Sequence, residues 1–321
     1  MKWIAVCSAV GLATAAIAAP KPDEVMAYQE LVRKDARLAT IGYRLALANS
    51  PFCEKLEPSL GWVLHDERQY PDPDTARSAL GLRAPISVSA VVPNGPAERS
   101  GIKAGDGLVA LNNVYWNWDA KPARSKSVKR LEKVNTDVRL SLVNSVAINL
   151  ILTTETGQKT IHVKPELVCA SRFWVDTTSQ LDAGADGESV RIAEGLMAFA
   201  STDEELAAAV AHELSHNLLG HRNRLEKTGR NGAHILATEI EADQLSVWLL
   251  ANAGYNPIAA LRFAERFGRK TSLGIFSEST HLRWKNRVKI MRAEIDVLNK
   301  SSKVNGLSPP PLLSGGSLAT R

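Results

Sequence analysis

Residues Asp203–His221 read DEELAAAVAHELSHNLLGH. Thr202 followed three residues later by Glu205 is a capping-box pair, acids crowd the first turn, and Gly220 stands where a helix would stop. The spacing predicts a helix over Thr202–Leu219. Leu206, Ala207, Ala208, Ala209, Val210 and Ala211 are apolar on every side of it, which marks a buried helix. Within it lies His212-Glu213-Leu214-Ser215-His216. Histidines four apart share a helical face, so both imidazoles can reach one ion. Glu213 points near the same place without being a ligand, and is positioned to take a proton from an attacking water. Two surface histidines would leave the apolar flanks unexplained, because polar groups inside a buried helix need partners.

A protein zinc site of this kind needs a third ligand. His221 follows Gly220, but the offsets of the metzincin pattern hold Leu219 and Arg222 instead of the required residues. His234 stands in an expected loop and remains open. The better candidate is Glu239-Ile240-Glu241-Ala242-Asp243. Glu239 and Asp243 are four apart on one face, so one carboxylate can bind a metal while the other accepts a hydrogen bond from a ligand imidazole. Glu241 lies about 200° from Glu239 around a helix and is expected to face elsewhere.

The segment Asp203–His221 resembles the active-site helix of the M48 metallopeptidases, the gluzincin group of CAAX-processing and quality-control proteases. EIEAD, Glu239–Asp243, resembles that family's ExxAD motif, and AGYNP, Ala253–Pro257, its AGY(D/N)P segment. ADGESVRIAEGL, Ala185–Leu196, resembles the strand beside the substrate cleft. His281 followed by Arg287 resembles the SHPxxxxR stretch, with Leu282 in place of the proline. The resemblance implies one zinc ion per chain held by His212, His216 and Glu239. It implies Asp243 and Arg287 as residues supporting the ligands, and Glu213 and His281 as catalytic residues. His281 has two readings: it stabilises the oxyanion, or it occupies the fourth zinc position and holds the enzyme latent. The strand Ser189–Ala193 is expected to offer a free edge to an extended substrate.

The stretch 58–167 reads differently, as short β-rich runs broken by turn residues. Ile86–Val92 alternates with period two before Pro93-Asn94-Gly95, and Leu108–Leu111 closes on Asn112-Asn113. Val146–Thr153 and Thr160–Val163 flank a hairpin signal at Glu155–Gln158. VVPNGPAERSGIKAGDGLVALNN, Val91–Asn113, resembles a PDZ domain of the bacterial protease type. That implies a C-terminal peptide as a possible partner, with Leu80-Gly81-Leu82 as the candidate carboxylate loop. The expected fold is α+β: a mainly helical zincin-like domain with a small sheet, plus the β-rich PDZ-like domain. The expected division is a signal peptide (1–18), an N-terminal helix packing on the catalytic domain (19–57), the PDZ-like domain (58–167), the metallopeptidase domain (168–300) and a disordered tail (301–321).

Composition bounds the rest. The formal net charge of +5 is mild, and the cluster Lys126, Lys129, Arg130 and Lys133 lacks aromatic partners, so a solvated basic surface is expected and a nucleic-acid partner is not. Lys2, the apolar run Trp3–Ala16 and the small residues through Ala18 have the form of a secretory signal peptide. No later segment is apolar enough to span a membrane, so a bacterial periplasmic location is expected. Of 3 cysteines, Cys53 and Cys169 follow the leader, and an oxidising compartment favours a bond between them. Three functions fit: an endoprotease acting on unfolded or flexible protein segments, a zinc-stabilised PDZ-type binding or chaperone-like protein with silent protease activity, and a narrowly specific processing peptidase.

Overall fold

The computed structural model describes residues 22–118, 129–271 and 284–313, so the expected leader, Lys126 and His281 lie outside the described residues. Helix α1, Pro22–Ala48, follows from the spacing of Leu31, Leu38, Ile41 and Leu45. It buries two faces. Leu38, Ile41 and Leu45 enter the larger core, while Tyr43 and Ala46 pack on Val92, Val168 and Cys169, and Tyr28 packs on Tyr70 and Ala76. The helix is therefore a wall shared by both halves of the molecule. Gly42 sits where it passes the Phe173 ring, and an added Cβ would lie 2.4 Å from that ring. Gly42→Ala is expected to lower stability by about 1–3 kcal/mol through overpacking. A thermal midpoint equal to that of the parent chain would refute it.

The β-rich half begins with β1 (Leu56–Ser59), β2 (Trp62–Asp66), α2 (Pro73–Leu80), β3 (Ile86–Val91), the short α3 (Pro96–Arg99), β4 (Gly107–Leu111) and β5 (Val114–Tyr115). It continues through α4 (Lys129–Val143), β6 (Ile148–Thr154), β7 (Gly157–Val163) and β8 (Glu166–Cys169). Its main sheet runs β2-β3-β4-β6-β7, with β5 on β4. Asn112 and Asn113 both take positive φ between β4 and β5, the signature of a type I′ hairpin turn. Strands β1 and β8 pair antiparallel at the stem, where Cys53 and Cys169 form a disulfide.

Two expectations for this half are corrected. Helix α4 was not anticipated, although Leu131, Val134, Val138 and Leu142 recur at helical spacing and enter the core. It carries Arg130 inward: Nε and Nη2 donate to the buried Asp66 carboxylate at 2.7 and 2.5 Å. Part of the basic cluster is thus an internal ion pair, because Asp66 has no water to solvate it. Leu80-Gly81-Leu82 is the end of α2 with Gly81 left-handed, and the Gly81 and Leu82 amides donate to the Ser78 and Arg77 carbonyls. Those amides are spent on the helix and are not free to hold a peptide carboxylate.

The helical half comprises β9 (Arg172–Asp176), β10 (Ala183–Ala185), β11 (Ser189–Ala193), α5 (Glu194–Phe199), α6 (Asp203–Leu218), α7 (His221–Thr228), α8 (Gly232–Asn252), α9 (Ile258–Thr271) and α10 (Trp284–Lys300). Its sheet has the order β10-β11-β9. Helix α6 runs through the core beside α8, with Leu206–Ala211 buried throughout. Its cap is half of the expected box. Thr202 Oγ1 accepts from the Glu205 amide at 3.2 Å, whereas the Glu205 carboxylate accepts from Ser201 and Arg266. The tail is ordered at its start, contrary to expectation, over 301–313. Asn252 clamps the Ser308 backbone by two hydrogen bonds of 2.8 and 3.0 Å, and Leu313 packs on the core. Prolines there limit conformational entropy, and the side-chain clamp satisfies the backbone.

Candidate active site

Helix α6 brings His212, Glu213 and His216 to one side of the core, and α8 brings Glu239 opposite them. The Nε2 atoms of His212 and His216 are 3.2 Å apart. The Glu239 oxygens stand 3.5 Å from the first and 3.6 Å from the second. A tetrahedral ion with ligands at about 2.0–2.1 Å sets its donor atoms about 3.3–3.4 Å apart. Two imidazoles and a carboxylate at these separations fit such an ion. Among the described residues, these three form the cluster that can hold a metal.

Supporting contacts converge on the same place. His212 Nδ1 lies 3.1 Å from Asp243 Oδ1. Arg287 on α10 grips the Asp243 carboxylate with two N–H bonds, Nε to Oδ2 at 2.8 Å and Nη2 to Oδ1 at 2.6 Å. Asp243 is buried, and such a pair orients the imidazole beside it. His234 is placed elsewhere: it lies in the first turn of α8, against Gly229 and Asn231, and not in the expected loop.

Comparison with known proteins agrees with this geometry. Residues 61–142 match the family model of the PDZ domain, and residues 171–238 match that of peptidase family M48. The chain joins an M48 peptidase domain to a PDZ domain. No curated protein matches it.

Electrostatics in the M48 domain hold Glu239 and His216 in their metal-binding forms and His212 as an imidazolium, whose proton an incoming ion would displace. Burial works against the charge of Glu239, but the contact with His212 and the nearby cations hold its carboxyl down to about 2. Burial and the charge of His212 push His216 down to about 3, leaving it neutral and able to ligate. Burial and Arg287 oppose the charge of His212, yet Asp243 and Glu239 prevail and raise it to about 10. Burial, with Glu239 adding to it, raises the carboxyl of Glu213 above its ordinary value, against the pull of His212 and Arg287.

The triad opens into a cleft of about 770 Å³. One wall is α9, whose Ala260, Phe263, Ala264, Phe267 and Thr271 recur at helical spacing along it. The other border carries a correction. Strand β11, Ser189–Ala193, is the centre of its sheet and is hydrogen-bonded on both sides. The edge belongs to β10, whose Ala183 and Ala185 line the cleft. Pairing with β10 is what removes β11 from the edge; the sequence Ala-Gly-Ala offers no alternation by which β10 could be read in advance.

Asn217 was also missed. Its Oδ1 accepts from Gly187 N at 2.7 Å, and its Nδ2 donates to Ser189 O at 3.0 Å and Ser171 Oγ at 2.9 Å. One side chain next to His216 thus ties the β10–β11 hairpin to the metal-site helix. A single asparagine in a helix gives no signal for this from sequence.

Proposed function

We propose that the chain is a zinc-dependent endopeptidase that cleaves unfolded or flexible protein segments, as in protein quality control. The observation that carries this is the triad His212, His216 and Glu239 with Glu213 beside it, facing a cleft bordered by the free edge of β10. When bound, zinc would polarise the substrate carbonyl and make an attacking water more acidic. Glu213 accepts the proton of that water and delivers it to the leaving amine, a role suited to a carboxyl whose pKa is raised. Asp243 and Arg287 keep His212 oriented. The β10 edge supplies backbone partners for an extended chain, which a folded domain cannot present.

The PDZ domain supplies a second place for an extended segment. Strand β2 is an edge of its sheet and lies beside α4. A substrate's C-terminal segment pairing there would recruit it to the peptidase. Export to a periplasm is supported by the leader-like residues 1–18 and by the disulfide, which oxidising compartments sustain. Among the described residues, no helix is long and apolar enough to cross a membrane. Mass spectrometry of the protein taken from its native host should find Ala19 at the amino terminus; retention of Met1 would remove the cleaved leader from the proposal.

The test is cleavage of a dye-labelled, unfolded protein by the zinc-loaded chain. Activity should vanish with a strong chelator and return with stoichiometric zinc. Turnover that survives removal of the metal would overturn the proposal. Absence of cleavage by the loaded chain would favour the binding or chaperone-like function instead.

A further inference from the structure

Each histidine of the triad has a second nitrogen, and the two are partnered differently. His212 Nδ1 meets a carboxylate directly, at Asp243. His216 Nδ1 meets another imidazole: Nδ1 of His221 is 2.8 Å away. On the far side of that ring, Nε2 lies 3.0 Å from Glu241 Oε2. The same oxygen accepts from Arg224 Nη2 at 2.7 Å. His221 is 1% exposed, so its two ring nitrogens have these protein atoms as partners in place of water. Gly220, left-handed at φ 61°, reverses the chain between α6 and α7 and brings His221 back against His216.

The hydrogens in this row have one consistent arrangement. If His216 uses Nε2 toward an ion, its hydrogen sits on Nδ1 and must be donated. The facing Nδ1 of His221 is then bare and accepts it. His221 therefore carries its own hydrogen on Nε2 and donates to Glu241. The opposite tautomer would set two N–H groups head to head and turn a lone pair toward a carboxylate. Both faults would be buried, where unmade hydrogen bonds cost most.

We infer that His221 and Glu241 are a positioning pair for His216, in which a carboxylate orients a metal ligand through an intervening imidazole. The inference rests on the reading of His212, His216 and Glu239 as the metal site. Helix α8 then serves that site twice, through Glu239 as a ligand and through Glu241 at the far end of the relay.

The test is zinc affinity, measured by chelator competition on the full chain and independent of turnover. His221→Leu should weaken zinc binding about 10–100-fold, the usual consequence of losing a group that orients a ligand. His221→Asn keeps an acceptor oxygen near the place of Nδ1 and should recover most of that loss. Glu241→Gln should weaken binding by a smaller factor, about three- to tenfold, since the amide keeps a weaker acceptor. Glu241 is 27% exposed at its side chain, so this variant carries the test if His221→Leu does not fold. The cobalt-substituted protein adds a second readout, because a reoriented His216 should shift the visible bands in His221→Leu and Glu241→Gln but not in His221→Asn. Folded His221→Leu or Glu241→Gln protein binding zinc within about twofold of wild type would overturn the relay. Glu239→Ala separates the two levels. If it loses zinc while the relay variants keep it, the relay alone is wrong; if it keeps zinc too, the metal site itself is wrong.

Discussion

Glu213→Gln is expected to lower kcat on an unfolded protein substrate by about 10²–10⁴-fold while zinc content and KM stay unchanged. At about 1.4 kcal/mol per tenfold, the loss amounts to about 3–5.5 kcal/mol of transition-state stabilisation. The amide has the shape of the carboxyl and fits the same half-buried space beside the triad. What it lacks is basicity, so it can neither accept the proton of the attacking water nor return one to the leaving amine. Zinc should be retained because Glu213 is not among the three donor residues that converge. His212→Ala and Glu239→Ala should behave differently, losing metal and activity together. Zinc-loaded Glu213→Gln protein that cleaves at the parental rate would show that another group moves the proton, and the assignment of Glu213 would fall. Loss of zinc in that variant would instead show that the carboxylate belongs to the metal site.

The catalytic helix was legible because several local signals agree on it: a Thr202 cap, an apolar stretch and histidines at a spacing of four. Glu239 and Asp243 were legible for the same reason, since a spacing of four puts two side chains on one face of any helix. The features that sequence did not disclose depend on which chain segments meet. The free strand edge was placed on Ser189–Ala193, whose residues have the apolar character of a strand. Such character follows from burial, and burial is greatest in the centre of a sheet, not at its edge. The edge fell to Ala183–Ala185, which has almost no side chains to betray it. His221 was weighed only as a possible ligand; its role beside His216 depends on the left-handed turn at Gly220. Arg130 was read from its basic neighbours as solvated, but its partner Asp66 lies 64 residues earlier in sequence. In the tail, the three consecutive prolines pointed away from order, while the clamp that orders the segment sits on Asn252 at the end of α8.

Loss of the Cys53–Cys169 bond is the second large effect expected. The two residues are 116 apart, and each closes one side of the stem from which the PDZ domain extends. A cross-link of about a hundred residues removes enough freedom from the unfolded chain to stabilise the fold by up to about 4.7 kcal/mol, with measured bonds commonly at about 2–4. Domains of this kind have a total of only about 5–15 kcal/mol, so the bond is a large share. Cys169 is fully buried against Tyr43 and Val92, where α1 meets the PDZ domain. Opening the stem should therefore loosen the contact of the PDZ domain with α1 before it disturbs α6. Urea unfolding of Cys53→Ser/Cys169→Ser protein should show a stability lower by about 2–5 kcal/mol. Its PDZ domain should be cut first in limited proteolysis. An unchanged urea midpoint would mean that the bond adds nothing. A thiol count on protein taken from its native host joins this prediction to the compartment. Exported chain that has lost its leader should have no free thiol under denaturing, non-reducing conditions. One free thiol would identify Cys7 and an uncleaved leader. Two or more would mean that Cys53 and Cys169 stay reduced, and neither the stabilisation nor an oxidising compartment would then hold.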